Sequence, residues 1–337
     1  MDTTNHTDCT GRTRMVTAIR IERTGGPEVL DVADVDIAEP GPGEVLVDVA
    51  AAGVNYIDTY QRSGIYPVPL PYTPGLEGAG RVAAVGSGVT DVAVGDRVAW
   101  QGSPGAYAAR ALVPADVAVR IPEGVADETA AAVMLQGITA HYLTSSTHAV
   151  REGETVLVHA AAGGVGLLLT QLAKARGARV IGTVSTPEKE RLARETGADE
   201  VIRYTEQDFV EAVRELTHGQ GVDVVYDGVG ASTYEGSLTC LRPRGLLALF
   251  GASSGPVPPI DPQRLNRGGS LFLTRPTSGD YTRTRQELQW RVGELFDGLA
   301  KGTLTVRIGG RYALSDARKA HEDLEGRRTT GKVLLLP

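Results

Sequence analysis

The apolar positions of this chain follow two rhythms, and the change between them divides it. From Met15 to about Ala132, short apolar runs are interrupted every few residues by Gly and Pro. Glu44-Val45-Leu46-Val47-Asp48-Val49 reads as a strand introduced by the turn-forming Glu39-Pro40-Gly41-Pro42-Gly43. Gly80 to Gly86 and Gly95 to Trp100 repeat the pattern. Strands this short and this regularly punctuated predict a small β-rich domain, a partly open barrel.

From about Leu135 strand alternates with helix. Thr155 to His159 and Arg179 to Val184 are apolar runs suited to buried strands, each followed by a helical pattern, Gly166 to Arg176 and Pro187 to Thr196. Glu200 to Ile202, Val222 to Tyr226 and Leu246 to Phe250 add further strands. This alternation predicts a parallel sheet wound on both faces. After Ser270 to Leu273 come a long helix, about Arg283 to Lys301, a strand, a helix from Ser315 and a closing strand, Lys332 to Leu336. These last elements are expected to return to the first domain. Arg283, Arg285, Glu287 and Arg291 mark a solvated helix face, and His159, at the end of a buried strand, reads as a core histidine.

Length and composition add limits. At 337 residues, 42% hydrophobic and 22% charged, the chain suits two globular domains. A net charge of −7 argues against nucleic acid and against an anionic membrane surface as partner. No apolar run is long enough to span a bilayer. Cys9 and Cys240 are the only cysteines, so a disulfide framework is excluded and a reducing, cytoplasmic setting is expected. Residues 1–14 are polar, without the apolar core of a signal peptide, and are expected to be a disordered tail.

The strongest chemical signal is Ala160-Ala161-Ala162-Gly163-Gly164-Val165-Gly166, placed between a strand and a helix. There a dinucleotide fingerprint would let backbone amides approach a pyrophosphate at a helix N-terminus. Gly163 and Gly164 permit that approach, Gly166 permits close packing of helix on strand, and Ala161 replaces the first glycine of the usual pattern. Just after the next strand come Ser185, Thr186 and Lys189, where an NAD site would carry an acidic residue. A hydroxyl and a lysine accept a 2′-phosphate that a carboxylate would repel, so NADPH is favoured. Phe250-Gly251-Ala252-Ser253-Ser254 ends a strand at the edge where open α/β sheets bind ligands.

Three segments together, Gly53 to Gly64, Pro74 to Gly80 and Ala160 to Gly166, resemble the zinc-independent quinone oxidoreductase branch of the medium-chain dehydrogenases/reductases. The resemblance runs from Met15 to Pro337. It implies a doubly wound Rossmann domain inserted in a GroES-like catalytic domain, with residues 15–134 and 277–337 forming the catalytic part and 135–276 binding NADPH in the cleft between. It also implies a homodimer joined through the strand Gly269 to Leu273. Zinc alcohol dehydrogenases of this superfamily carry a cysteine in the segment matching Gly53 to Tyr60 and a histidine where this chain has Leu76, so no metal is expected.

The same resemblance places Asn55, Tyr60 and Tyr66 at the nicotinamide end as candidate catalytic groups. It puts Gln136, Gly137 and Thr139 beside them at the start of a domain-crossing helix, and Tyr204 beside the adenosine. Arg275 and Lys332 match cofactor-proximal positions, with a plain surface charge as the alternative for each. The implied activity is hydride transfer from NADPH to a quinone, for which orientation and exclusion of water suffice. Reduction of an enone or alkenal double bond is the alternative. A non-catalytic protein binding NADPH or RNA is a third, disfavoured by the acidic charge and the intact glycine turn.

Overall fold

The computed structural model describes residues 14–337. The expected tail, with Cys9, lies outside the described residues except for Arg14, which opens a strand and pairs with Glu39 at 3.5 Å.

Strands β1 (Arg14–Arg20) and β2 (Asp31–Ile37) form an antiparallel ribbon. Strand β3 (Glu44–Val54) runs on past its predicted end because Ala51 to Val54 are all buried. Helix α1 (Tyr56–Ser63) follows, then β4 (Glu77–Val85), β5 (Arg97–Gln101), β6 (Arg110–Pro114) and β7 (Val119–Arg120). Irregular register between β3 and β4, after Leu46 and again after Val49, bends the pair.

Helix α2 (Asp127–Tyr142) starts well before the expected point, so Gln136, Gly137 and Thr139 lie in its second half. Its Ala130-Ala131-Ala132-Val133-Met134 run is buried without interruption, and a helix apolar on every side shows no amphipathic period. The acidic pair Asp127 and Glu128 in its first turn was the available start signal.

Next come β8 (Thr155–Val158), α3 (Gly164–Ala175), β9 (Arg179–Val184), α4 (Pro187–Glu195) and β10 (Glu200–Arg203). They are followed by α5 (Phe209–Leu216), β11 (Val222–Asp227), α6 (Tyr234–Cys240), β12 (Leu241–Leu249), α7 (Pro262–Arg267) and β13 (Phe272–Thr274). The six strands are parallel and ordered β10-β9-β8-β11-β12-β13. The order reverses between β8 and β11, where such sheets leave a crevice at their carboxyl ends. Strand β13 begins at Phe272 rather than Gly269, because Gly269 and Ser270 both hold positive φ (104° and 57°) and cannot continue an extended strand.

Helix α8 (Arg285–Ala300) packs on α2. Strand β14 (Ile308–Ala313), helix α9 (Ala317–Glu325) and β15 (Lys332–Leu336) then complete the first domain: β15 pairs antiparallel with β3 and parallel with β14. One buried cluster joins the two domains through α2, a second fills the first domain, and a third lies beneath the other face of the parallel sheet.

The expected solvated face of α8 is corrected at Arg291, which is 2% exposed. Its guanidinium donates to the Tyr281 carbonyl (2.7 Å) and Ser146 Oγ (3.1 Å), and lies over the Trp290 ring. A charged head this well satisfied can be buried where mixed charge alone suggested solvent. Among the described residues no helix is long and apolar enough to cross a membrane.

Candidate functional site

The turn from β8 into α3 carries a geometry that three glycines and one strained alanine make possible. Ala160 sits at φ 50°, which folds the chain back toward the helix. At Gly166 a Cβ would collide with the Ala160 carbonyl, so only glycine lets α3 pack this close to the strand. At Gly164 a Cβ would overlap the Gln136 carboxamide; this glycine makes room for a side chain of α2. Gly163 is open, with only the Ala160 carbonyl near its Cβ position (3.1 Å). No side chain caps α3. The first-turn amides of Gly164, Val165 and Gly166 therefore keep their donors for a ligand, reinforced by the helix dipole.

These amides face a cleft of ≈ 830 Å³ between the two domains. Its walls bring together Asn55, Tyr60 and Tyr66 with Gln136, Thr139, Ala162, Gly163, Gly164, Val165 and Gly166. Ser185, Lys189, Tyr204, Phe250, Gly251, Ser253 and Arg275 complete the wall. Of the expected residues, Gly137, Ser254 and Lys332 are not on it. Ser254 lies behind the wall, its Oγ donating to the Val229 carbonyl (2.8 Å) and accepting from the Ser232 amide (3.0 Å). Lys332 is 1% exposed and also sits behind the wall.

At one end of the cleft, Ser185 at the end of β9 and Tyr204 just after β10 flank Lys189 on α4. Lys189 Nζ donates to the carbonyl of Arg327 (2.9 Å), and the Arg327 side chain lines the same wall. Burial, and then the charge of Arg327, hold the Lys189 ammonium below its usual pKa. Two cations converging without a carboxylate between them make a seat for a compact anion such as a 2′-phosphate.

At the other end Asn55 is 4% exposed and held on all sides. Its Nδ2 donates to Glu77 Oε1 (2.6 Å), while its Oδ1 accepts from Lys332 Nζ (2.8 Å) and Gln136 Nε2 (3.3 Å). Its Nδ2 donates to Glu77 and, at 3.5 Å, to the Gly53 carbonyl, so Asn55, a candidate catalytic group, has both amide protons engaged within the protein rather than aimed at a substrate carbonyl. Glu77, fully buried, also accepts from the Leu135 amide (2.7 Å) and forms a salt bridge with Lys332. Neighbouring strands β15, β3 and β4 bring these groups together, and Gly53 lies between them because any Cβ there would collide with both Glu77 and Lys332.

Tyr60, on the last turns of α1, accepts from the Ala252 amide (3.3 Å) through its hydroxyl oxygen. Tyr66 likewise accepts from Arg275 Nη2 (3.3 Å), and the two rings meet edge to face at 5.4 Å. Burial raises the Tyr60 pKa to about 12, so the phenol keeps its proton across the physiological range. Each hydroxyl accepts one hydrogen bond and keeps its proton free to donate. His159 lies in the cleft floor, bonded to Thr183 Oγ1 (2.9 Å) and Ser237 Oγ (3.0 Å), and burial lowers its pKa. It is a satisfied neutral histidine.

The Alcohol dehydrogenase GroES-like domain family matches residues 41–123, and the Zinc-binding dehydrogenase family matches residues 164–290. A quinone oxidoreductase of Pseudomonas aeruginosa is 51% identical across 96% of this chain and 100% of its own. The chain belongs to the quinone oxidoreductase branch of the medium-chain dehydrogenases/reductases. A mycobacterial protein solved in complex with NADPH is 53% identical and superposes with a TM-score of 0.93, over 95% of this chain and 100% of that one. A 2-haloacrylate reductase of a Burkholderia species is 44% identical over 96% of this chain and 99% of its own.

Within this branch the residues around Glu77 have a physical reading. Zinc enters the name of the family matched at 164–290, yet Glu77 lies outside that segment. The Glu77 carboxylate is paired within the chain by the ammonium of Lys332. Among the described residues no three His, Cys, Asp or Glu side chains converge as a metal site would require.

Among the wall residues that escaped the sequence reading is a charged one. Arg327, 138 positions after Lys189 and held at φ 57°, reaches the cleft from the turn after α9. No local spacing marks it; the only clue was a second arginine, Arg328, beside it in a chain that turns toward its last strand.

Proposed function

We propose that this protein transfers a hydride from NADPH to a quinone, with Tyr60 and Tyr66 as the donors that receive the substrate's carbonyl oxygen. The pair of uncommitted hydroxyl protons at the mouth of a cleft with a free helix N-terminus carries this reading. Bound NADPH would supply the hydride, held at its pyrophosphate by the amides of α3 and at its 2′-phosphate by Ser185, Lys189 and Arg327.

The chain's own groups do the rest. A quinone that gains a hydride gathers negative charge on oxygen, and a hydroxyl already polarised by a donor stabilises that charge. The Ala252 amide polarises Tyr60 in this way, and Arg275 polarises Tyr66. The hydride supplies one hydrogen of the hydroquinone and a single proton from solvent the other, so the two phenols need only donate hydrogen bonds to the developing oxyanion and no buried acid is required. The salt bridge of Lys332 with Glu77 fixes Asn55, and Asn55 with Gly164 fixes Gln136 at the floor of this end.

Tyr60→Phe is expected to lower kcat with 1,4-benzoquinone and NADPH about tenfold or more, with the Michaelis constant for NADPH unchanged. The absorbance of NADPH in steady state measures it, and an unchanged kcat would remove Tyr60 from the role. Wild-type protein that binds NADPH yet leaves benzoquinone unreduced would overturn the reading itself.

The 2-haloacrylate reductase among the relatives favours a second substrate, an activated carbon–carbon double bond. The same two hydroxyls would then stabilise an enolate oxygen. Turnover confined to an enone under the same assay would put this reading first.

A homodimer is the proposed assembly. Strand β13 is the outer strand of the parallel sheet and presents Phe272, 61% exposed, along an unpaired edge of the kind that invites a second strand. Light scattering at micromolar concentration is expected to give twice the chain mass, and a monomer would rule the dimer out.

A further inference from the structure

A second cavity of ≈ 440 Å³ adjoins the cofactor cleft. The two share Tyr60, Tyr66, Gly251 and Arg275, so the chamber opens at the two hydroxyls that face the substrate. Beyond that mouth its walls are apolar, formed by Ile65, Leu249, Val257, Ile260 and Leu273 together with prolines. Apart from the two tyrosines, Arg275 is its only ionisable wall residue, and it already donates to Tyr66.

The outer wall is stiff. It is the run Pro256-Val257-Pro258-Pro259-Ile260, whose prolines fix φ and remove backbone donors that a buried ligand would leave unpaired. The run is anchored at both ends. The Gly255 carbonyl accepts from the Ala231 amide (3.1 Å), and the Asp261 carboxylate accepts from the Gln263 amide (2.9 Å) at the start of α7. A preformed apolar chamber with polar groups only at its entrance favours an apolar ligand group joined to a polar head.

We infer that this chamber takes an alkyl or isoprenoid side chain on the ring of the quinone, while the ring itself sits at Tyr60 and Tyr66. The inference rests on the reading of the cleft as a quinone reductase site. It narrows the substrate class from any quinone to one carrying an apolar substituent.

The test compares kcat/KM, at saturating NADPH, for 2,3-dimethoxy-5-methyl-1,4-benzoquinone with and without one isoprenyl unit on the ring. Full burial of one methylene is worth up to about fourfold, so partial burial of a five-carbon unit should raise kcat/KM about tenfold or more. The gain should appear in KM. Filling the chamber with Ile260→Trp, or with Val257→Phe where the first variant fails to fold, should bring the ratio of the two substrates down toward one. A quinone whose side chain ends in a carboxylate should gain nothing over the bare ring.

A wild-type ratio of one, or an unchanged ratio in folded filling variants, would overturn the inference. A larger gain with the carboxylate than with the isoprenyl unit would overturn it in favour of Arg275. If the bare quinone is reduced while the ratio stays at one, only the chamber assignment fails. If neither quinone is reduced, the reading of the site fails first.

Discussion

Replacing Lys189 and Arg327 together by alanine is expected to weaken NADPH binding about a hundredfold and to leave NADH binding within about twofold. No acidic residue follows β9; Ser185 stands there instead. A charge-assisted hydrogen bond contributes about 1.5–3 kcal/mol, and each 1.4 kcal/mol is a factor of ten in affinity. Two such bonds to one phosphate will not add fully, because the cations share the anion and repel one another without it. Burial and Arg327 both disfavour the Lys189 ammonium in the free protein. A dianionic phosphate reverses that penalty, so the pair gains most when both cations are present. Fluorescence titration of each variant with both dinucleotides measures the effect. Equal weakening for NADH and NADPH would sink the phosphate assignment.

Lys332→Met is expected to destabilise the fold by about 3–5 kcal/mol, because it strands the carboxylate of Glu77 where no solvent reaches it. The buried ion pair need not itself be strongly stabilising; the cost comes from breaking one side of it. Glu77 would keep hydrogen bonds from the Leu135 amide and Asn55 Nδ2, which offset part of the loss. The double variant Lys332→Met with Glu77→Gln should recover most of the stability, since a neutral amide no longer demands a counter-charge. Chemical denaturation of the three variants measures the cycle. A single-variant loss below about 1 kcal/mol would show that water reaches Glu77 after all. Asn55 loses the ammonium at its Oδ1 in the same variant, so kcat should fall as well.

Much of the nucleotide half was legible in the chain. The Ala160 to Gly166 turn, the strand before it and the helix after it are set by neighbours within a few residues, as is the end of β9 at Val184, just before Ser185; in the other domain the same holds for the closing strand Lys332 to Leu336. Period and glycine placement report such local choices directly. The switch from punctuated strands to alternating strand and helix likewise separated the two domains, since each pattern implies a different way of covering a sheet.

Where side chains meet across the chain, only the folded molecule decides. Lys332 looked equally like a surface charge, yet it lies buried against Glu77, 255 positions away. Asn55 looked like a substrate donor, and its amide is taken by that same carboxylate. Arg291 looked solvated until α8 closed over Tyr281 and Ser146. Arg327 carried no local mark at all, and the carbonyl it offers Lys189 belongs to a turn reached only after α9 packs beside the cleft. Hydrophobic period is a property of neighbours, so the sequence by itself determined which segments become the strands and helices of the parallel sheet and which glycine turn opens a helix at the cleft. Pairing of buried charges depends on distances between segments far apart in the chain, and those distances exist only once β15 has paired beside β3 and β4 and α8 has packed on α2.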